Sequence, residues 1–130
     1  MTIPVEAVKQ WLEADPAWAG YGFEVSQGIW RDNATNAAKR LCVLTAMPSR
    51  TSNNLDVNYD SVRVILLGPQ KGNADTNPLR AIAYSIRDRL KTDNSNCDVT
   101  QFRMQGGPIG PGYTLEERVW FEINLQLITG

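Results

Sequence analysis

The chain has 130 residues, of which 42% are hydrophobic and 21% are charged, and it contains no histidine. This length is typical of one domain that buries roughly two-thirds of its unfolded surface, and we expect a single domain over residues 1–130. The 13 basic and 14 acidic residues leave a net charge of −1, so the chain as a whole has no strong attraction to nucleic acid or to an anionic membrane. Without histidine, a serine or cysteine nucleophile lacks its usual base, and a zinc site lacks one of its common ligands.

The charges are unevenly distributed along the chain. Residues 1–30 contain one lysine and four acidic residues, whereas residues 31–55 contain four basic residues and one aspartate. Segments of opposite charge suit surfaces that meet each other on neighbouring molecules.

The two cysteines, Cys42 and Cys97, do not form a CxxC motif. Cys42 lies in the apolar run LCVL and is predicted to be a core residue, whereas Cys97 follows the turn-like sequence DNSN. The N-terminus lacks a signal-peptide pattern, and no apolar run is long enough to span a membrane. The sequence therefore favours the cytosol and gives no support to a disulfide.

The first predicted element is a helix that begins at Pro4, where the missing N–H of proline costs nothing. Apolar residues then recur at helical spacing, at Val5, Val8, Trp11 and Leu12. The Asp15–Pro16 pair ends this helix, because the residue before a proline is forced out of helical geometry. The following sequence AWAGYG, at 17–22, is predicted to be a packed turn.

Two strands and a loop are predicted next. Residues 23–30 alternate between apolar and polar side chains, which is typical of a strand. The polar segment 31–40 follows, and its last residues, AAKR, are interpreted as a helical turn. Residues 41–45 form a short apolar strand, and the Pro-, Ser- and Asn-rich segment 46–58 is predicted to be a mobile loop.

The segment from Asp60 to Leu90 has the clearest pattern. It contains an apolar strand over 59–67, a break at PQKGNADTN, and an amphipathic helix that opens at Pro78. The apolar side of this helix carries Leu79, Ile82, Ala83, Ile86 and Leu90.

The last part of the chain is predicted to be mostly strand. A turn at 91–96 leads into a strand over 99–105, and the sequence GGPIGPG at 106–112 is interpreted as a stiff, irregular loop. Apolar and polar residues alternate strictly over 119–127, which places one face of that strand against the core. The element order predicts an α+β fold, with a mostly antiparallel β-sheet and two α-helices packed on one face.

Three motifs could carry chemistry, and each has a simpler structural interpretation. Adjacent strand residues point to opposite faces, so Glu116 and Glu117 make a poor acid/base pair. The segment GPQKGN lacks the spacing of a phosphate-binding loop. The segment GGPIGPGYT is either a stiff connection or a contact loop for a protein neighbour, with Ile109 and Tyr113 as apolar anchors. No catalytic residue, metal site or cofactor is predicted.

Two further features are candidates for protein interfaces. Arg80, Tyr84, Arg87 and Lys91 recur at spacings of four, three and four on the predicted helix, which makes a basic stripe. This stripe is either a solvated rim whose long side chains cover the edge of the core or a docking surface for an acidic neighbour, such as the N-terminal segment of another copy. Trp120 lies on the polar side of the last strand, and it is either an interface anchor or is covered by another part of the chain.

The order of these elements resembles the tail terminator family of long-tailed bacteriophages, whose members are also called minor tail or tail-completion proteins. The resemblance is carried by the polar loop after a short strand, by SVRVILLG leading across a break into LRAIAYSIRDRLK, and by GGPIGPG followed by ERVWFEINLQLI. It covers residues 40–128, and the N-terminal helix is compatible with it.

The resemblance implies a structural virion protein with no enzymatic activity and no cofactor. Its copies, six by expectation, would close into a ring on the last ring of tail-tube protein, stop tail polymerisation and offer a surface to the head–tail connector. DNA would only pass through the lumen, and no membrane would be involved. The protein would be assembled in the host cytoplasm and reside at the head–tail junction of the tail.

The family has no catalytic signature, so the interface residues are predicted from sequence pattern alone. The loop at 46–58 would become ordered only in the ring or against the tube. The predicted interface residues are Arg50, Asn53, Asn54, Arg80, Tyr84, Arg87, Ile109, Tyr113 and Trp120. The alternatives are another neck or head-completion protein of the same virion and, less favoured, a small ligand-binding domain or an enzyme that uses carboxylates.

Overall fold

Three helices and six strands occur in the part of the chain that this computed structural model describes, which is residues 3–28, 37–51, 58–70, 75–96 and 99–129, with the backbone alone at 48–51 and 58. In chain order they are α1 (Pro4–Glu13), α2 (Trp18–Tyr21), β1 (Phe23–Gln27), β2 (Arg40–Thr51), β3 (Asn58–Leu67), α3 (Thr76–Arg89), β4 (Gln101–Met104), β5 (Ile109–Tyr113) and β6 (Val119–Thr129).

The six strands form one sheet in the order β1-β2-β3-β6-β4, with β5 also paired to β6. Only β1 and β2 are parallel, and the other pairs are antiparallel. β3 pairs with β6 from Asn58–Thr129 to Leu67–Trp120. On the opposite edge of β6, β4 pairs with its C-terminal half and β5 with its N-terminal half. The predicted α+β fold with a mostly antiparallel sheet is therefore confirmed.

The core lies between the sheet and the two long helices. Alternate residues of β6 are buried on this side, as the strict alternation predicted: Val119, Phe121, Ile123, Leu125 and Leu127. Helix α3 contributes Leu79, Ile82, Ala83 and Ile86, and α1 contributes Ala7, Val8, Trp11 and Leu12. Burying each large apolar side chain contributes roughly 1.5–3 kcal/mol, so this layer is the main source of stability.

The segment 17–22 is a packed turn, as predicted, and most of it is the short helix α2. Trp18 is buried, and its ring stacks on Phe23 with ring centroids 5.0 Å apart. Gly22 follows with a φ of 72°, a left-handed conformation that glycine adopts without steric cost. The chain can therefore turn directly from α2 into β1.

The prediction of a mobile loop over 46–58 is wrong for residues 46–51, which continue β2. Ala46 pairs with Val62, and Arg50 pairs with Tyr59. The register shifts between Met47 and Arg50, a stretch that contains Pro48, whose nitrogen cannot donate a backbone hydrogen bond. The partner strand thus overrides the loop-like local composition. Residues 52–57 lie outside the described ranges.

The interpretation of 106–112 as a loop holds for residues 106–108 and is wrong for residues 109–112, which belong to β5. Ile109 pairs with Glu122 and Tyr113 with Val119, with a register shift between them. The two glycines within β5 allow this strand to approach β6 closely. At Gly110, which has a φ of 139°, a Cβ would lie 2.7 Å from the carbonyl oxygen of Trp120.

Several element boundaries differ from the predictions. Helix α3 begins at Thr76 rather than Pro78, because a proline in the first turn sacrifices no helical hydrogen bond. Residues 37–40 were predicted to form one turn of helix, but residues 37–39 form a non-helical turn. Arg40 already belongs to β2, where it pairs with Phe23. Strand β1 ends at Gln27 and β4 covers only Gln101–Met104. Residues 29–36 lie outside the described part.

Candidate protein-interface surfaces

Arg40 and Asp75 join the start of β2 to the N-terminus of α3. The guanidinium Nε and Nη2 of Arg40 donate to Oδ2 and Oδ1 of Asp75 at 3.0 and 2.7 Å. Its Nη1 donates to the carbonyl oxygen of Tyr21 at 3.0 Å. The two side chains are largely buried, and a two-bond arginine–carboxylate pair is geometrically specific. This pair therefore orients α3 on the sheet.

Arg118 holds the connection between β5 and β6. Its side chain is fully buried, and its Nη1 donates to the carbonyl oxygens of Lys39 at 2.9 Å and of Gly68 at 2.8 Å. The backbone N–H of Arg118 donates to the Thr114 hydroxyl at 3.1 Å, and the N–H of Thr114 donates to the carbonyl of Arg118 at 2.9 Å. The turn at 114–118 is thus fixed at both ends.

Exposed apolar side chains are concentrated in β5 and in this turn. Ile109 is 48% exposed, Tyr113 is 57% exposed, and Leu115 is fully exposed. Glu116 and Glu117 are exposed as well. We call residues 113–117 the hairpin tip. Ile109 and Tyr113 are accessible, as the contact-loop interpretation requires, and their role in an interface stays a prediction.

Leu115 was missed by the sequence analysis. The available signal was that Leu115 is a single leucine in the polar sequence TLEER, between two predicted strands. A leucine in a polar connection is a candidate for an apolar side chain that the monomer leaves in water.

Trp120 is partly buried rather than exposed. It lies on the face of the sheet opposite the helices and packs against a small second cluster formed by Leu41, Val43 and Leu67. Strand β5 covers its indole ring through Gly112. The prediction that another part of the chain covers Trp120 therefore agrees with the structure. Its role as an interface anchor stays a prediction.

A small apolar depression lies beside Trp120 on this face. Its volume is about 160 Å³, and it is lined by Ile65, Leu67, Thr114, Trp120 and Glu122. An apolar cavity of about 150 Å³ can hold a benzene molecule, so this depression has room for one side chain. Arg63 and Glu122 form an ion pair at its edge, with Nε and Oε1 3.3 Å apart.

The basic stripe of α3 is formed by Arg80, Tyr84 and Arg87 on the exposed side of the helix and by Lys91, which lies in the turn directly after the helix ends at Arg89. The guanidinium carbon of Arg87 lies 4.6 Å from the ring centroid of Tyr84, which is 38% exposed. That of Arg80 lies 5.9 Å from the ring centroid of Phe121, at the edge of the core. The position of Arg80 therefore agrees in part with the interpretation in which the long side chains of the stripe cover the edge of the core.

Asp88 neutralises part of this stripe. It forms ion pairs with Arg87 at 3.1 Å and with Lys91 at 3.4 Å. The hydrogen bond from Arg87 lowers the pKa of the Asp88 carboxyl below its ordinary value. With one carboxylate against three basic side chains, the stripe keeps a positive charge.

Six of the nine predicted interface residues form two groups in the structure, and the side chains of the other three are not described. Tyr84 and Arg87 contact each other on α3, with Arg80 one turn before Tyr84. Ile109, Tyr113 and Trp120 share the β5–β6 pairing. The backbone of Arg50 lies in β2, its side chain is not described, and Asn53 and Asn54 lie outside the described ranges.

A polar cleft of about 470 Å³ lies where the C-terminal ends of α1 and α3 approach each other. Arg89 lies in this cleft, paired with Asp93 at 2.8 Å and with its guanidinium carbon 3.9 Å from the ring centroid of Trp11. Within the described ranges, no cluster of three or more His, Cys, Asp or Glu residues could hold a metal ion. None of the helices described here is long and apolar enough to cross a membrane.

Comparison with curated proteins gives no match. The sequence model of the family described as "Phage tail termination protein" matches residues 1–130. This match extends beyond the segment 40–128, on which the resemblance depended, to the acidic N-terminal segment. The chain therefore belongs to the phage tail termination protein family, whose members are structural components of the virion tail.

Proposed function

We propose that this tail termination protein acts as a single domain over residues 1–130 whose copies close into a ring, six by the expectation from the resemblance. The ring binds the last ring of tail-tube protein and stops further polymerisation. Its opposite face offers the surface to which the head–tail connector binds, and DNA only passes through the lumen. The ring resides at the head–tail junction and is assembled in the host cytoplasm.

The main support is the distribution of exposed apolar side chains. Of the five large apolar side chains that are exposed in the described residues, three lie within 109–115 and a fourth, Tyr84, lies on α3. Contiguous exposed apolar residues with a charged rim are typical of protein interfaces. A protein of a structural virion family has such surfaces because its function is to bind other subunits.

A closed ring requires two different surfaces on each copy, since one patch of a subunit meets another patch of the next. The hairpin tip and the basic stripe of α3 are two such surfaces, and they differ in charge. Neither contains a predicted catalytic group. Assembly rather than chemistry is therefore the function that this arrangement supports best.

The test has two readouts. Mass measurement by light scattering and electron microscopy of the purified protein is expected to give a closed ring of uniform size. Addition of the protein to polymerising tail-tube protein is expected to stop growth, with a ring visible at one tube end.

A protein that is a strict monomer at high concentration and does not cap tubes contradicts the proposal. A protein that binds purified heads but not tails indicates the alternative, a head-completion protein. In both experiments an unrelated protein of similar size and charge serves as the control for nonspecific binding to tubes.

A further inference from the structure

The hairpin tip combines apolar and acidic groups on a fixed turn. Tyr113 and Leu115 are exposed, and they are followed by the exposed carboxylates of Glu116 and Glu117. Neither glutamate forms an ion pair with a residue in the described ranges. The buried Arg118 anchors the turn, so the tip loses little conformational freedom when it binds a partner.

The basic stripe of α3 has the complementary composition. It presents the partly exposed ring of Tyr84 between Arg80 and Arg87, with Lys91 at its C-terminal end. Arg87 lies against Tyr84, so an aromatic surface and a guanidinium group are available at one place. Tyrosine and arginine are enriched among the residues that dominate binding energy at interfaces.

Among the described residues, the apolar and acidic groups of the hairpin tip do not engage the basic stripe within one copy. Leu79, near the start of α3, lies beside Gly68 together with Val119, which is the first residue of β6 and adjoins the hairpin tip. Arg87 lies eight residues further along the helix, a distance of ~12 Å at the helical rise per residue. Leu115 is fully exposed in the monomer, so it does not pack on the stripe of its own copy. The observed structure thus leaves the tip available for the stripe of a second molecule.

We infer that the hairpin tip of one copy docks on the basic stripe of α3 of a second copy. Leu115 packs against Tyr84, and the carboxylates of Glu116 and Glu117 pair with Arg87 and Lys91. This contact is heterologous, because it joins two different patches, and so it propagates from copy to copy until the ring closes. The inference rests on the proposed ring and names the surfaces that form it.

This pairing differs from the one considered from the sequence, in which the acidic N-terminal segment docks on the stripe. In that segment Glu6 is exposed and lies one helical turn after the exposed Ile3, but its Oε1 already accepts a hydrogen bond from Nε2 of Gln27 at 2.7 Å. Glu13 and Glu24 are exposed as well, but in the described residues no large exposed apolar side chain is close to either of them along the chain. At the hairpin tip, charge and apolar surface occur together. Charge complementarity gives specificity, and apolar burial supplies affinity.

A charge-exchange experiment tests the inference. One variant carries Glu116→Lys and Glu117→Lys, and the other carries Arg87→Glu and Lys91→Glu. Each variant alone is expected to associate with itself at least about tenfold more weakly than the wild type, because like charges then face each other. An equimolar mixture is expected to recover assembly when the two variants alternate, since the lysines of the altered tip then meet the glutamates of the altered stripe, and the unchanged acidic tip meets the unchanged basic stripe. Arg80 is left unchanged because it also contacts Phe121.

Two matched controls carry the same charge changes elsewhere on exposed side chains. Glu13→Lys with Glu24→Lys matches the tip variant, and Lys39→Glu with Arg103→Glu matches the stripe variant. Both controls are expected to assemble like the wild type. If the N-terminal variant loses assembly and the tip variant does not, the sequence-based alternative is correct and the inference is wrong.

A cross-linking experiment gives an independent measurement that does not reverse any charge. In a Cys97→Ser background, Leu115→Cys and Tyr84→Cys are combined in one chain. Mild oxidation is expected to produce a ladder of disulfide-linked oligomers on a non-reducing gel, and the ladder is expected to disappear when a reducing agent is added. Each variant with only one of the two new cysteines is expected to give no ladder. Absence of the ladder in a protein that still forms rings overturns the inference while leaving the ring intact. A wild-type protein that forms no ring contradicts the proposed function itself.

Discussion

Gly112 of β5 lies directly over the indole ring of Trp120, so close that a Cβ at residue 112 would overlap the ring atoms Cε2, Cζ2 and Nε1. The contact explains why a segment rich in glycine and proline forms a strand at this place. A larger side chain at residue 112 would push β5 away from β6, and Trp120 would lose its cover. The hairpin tip, which β5 carries, depends on this close approach.

We expect Gly112→Ala to lower the free energy of unfolding by about 1–3 kcal/mol, as overpacking of a close contact does. Gly107→Ala is the matched control, because a Cβ at Gly107 meets nothing within 4 Å. Urea denaturation followed by tryptophan fluorescence measures both variants. Equal stability of the two variants would show that β5 does not need glycine at this contact.

Arg118 gives a second stability prediction. Arg118→Met keeps an unbranched side chain but removes the hydrogen bonds to the carbonyl oxygens of Lys39 and Gly68. Each buried carbonyl left without a donor costs about 1–3 kcal/mol. The control Arg103→Met removes an exposed arginine and is expected to change stability by about 0.5 kcal/mol or less. A wild-type unfolding midpoint for Arg118→Met would contradict the anchoring role of this side chain.

Cys42 is a free, fully buried thiol. Burial, and to a lesser extent the charge of Glu13, raises its pKa from 9.0 to about 12. In a Cys97→Ser variant at pH 8, a thiol reagent is therefore expected to label Cys42 only after denaturant is added, because the thiolate is the reactive form.

The same pKa shift predicts how stability depends on pH. The unfolded thiol ionises near pH 9 and the folded thiol near pH 12, so the unfolded state binds fewer protons between these values. The contribution of Cys42 is complete below pH 9 and is lost as the pH rises toward 12. Unfolding curves of the Cys97→Ser variant with and without Cys42→Ala measure this contribution, and identical pH profiles would rule it out.

A substitution at Leu115 is expected to weaken assembly without changing the stability of the folded monomer. Leu115→Ser is expected to change the free energy of unfolding by about 0.5 kcal/mol or less, because the side chain is fully exposed in the monomer. Sedimentation analysis is expected to show weaker self-association, because the variant removes the apolar anchor of the tip. Ile3→Ser is the matched control, since Ile3 is also a large exposed apolar residue, 58% exposed. Equal losses in both variants would indicate nonspecific association.

The elements that could be predicted from the sequence are those whose pattern is local and repeated. The alternation in β6 and the helical spacing in α1 and α3 each assign one face to the core, and the structure buries those faces. Family membership was also predicted, from the order of these elements. The stripe on α3 could be identified because helical spacing alone brings Tyr84 and Arg87 together.

The errors have a common cause in contacts between distant parts of the chain. Residues 46–51 look like a loop until β3 pairs with them, and 109–113 look like a loop until β6 does. Trp120 looks exposed because the sequence does not show that Gly112 will lie on it. The composition of a segment reports its intrinsic preference, and a partner strand can override that preference.

The amino-acid sequence by itself therefore determined the fold class, the core-facing residues of the long elements and the absence of a histidine-based site, since these depend on residue identity and spacing. Only the tertiary structure decided which apolar residues stay exposed, because exposure depends on what folds over each side chain. Leu115 is left in water and Trp120 is covered, although they are five residues apart and both apolar. That difference arises from the path of β5, which is set by its pairing with β6.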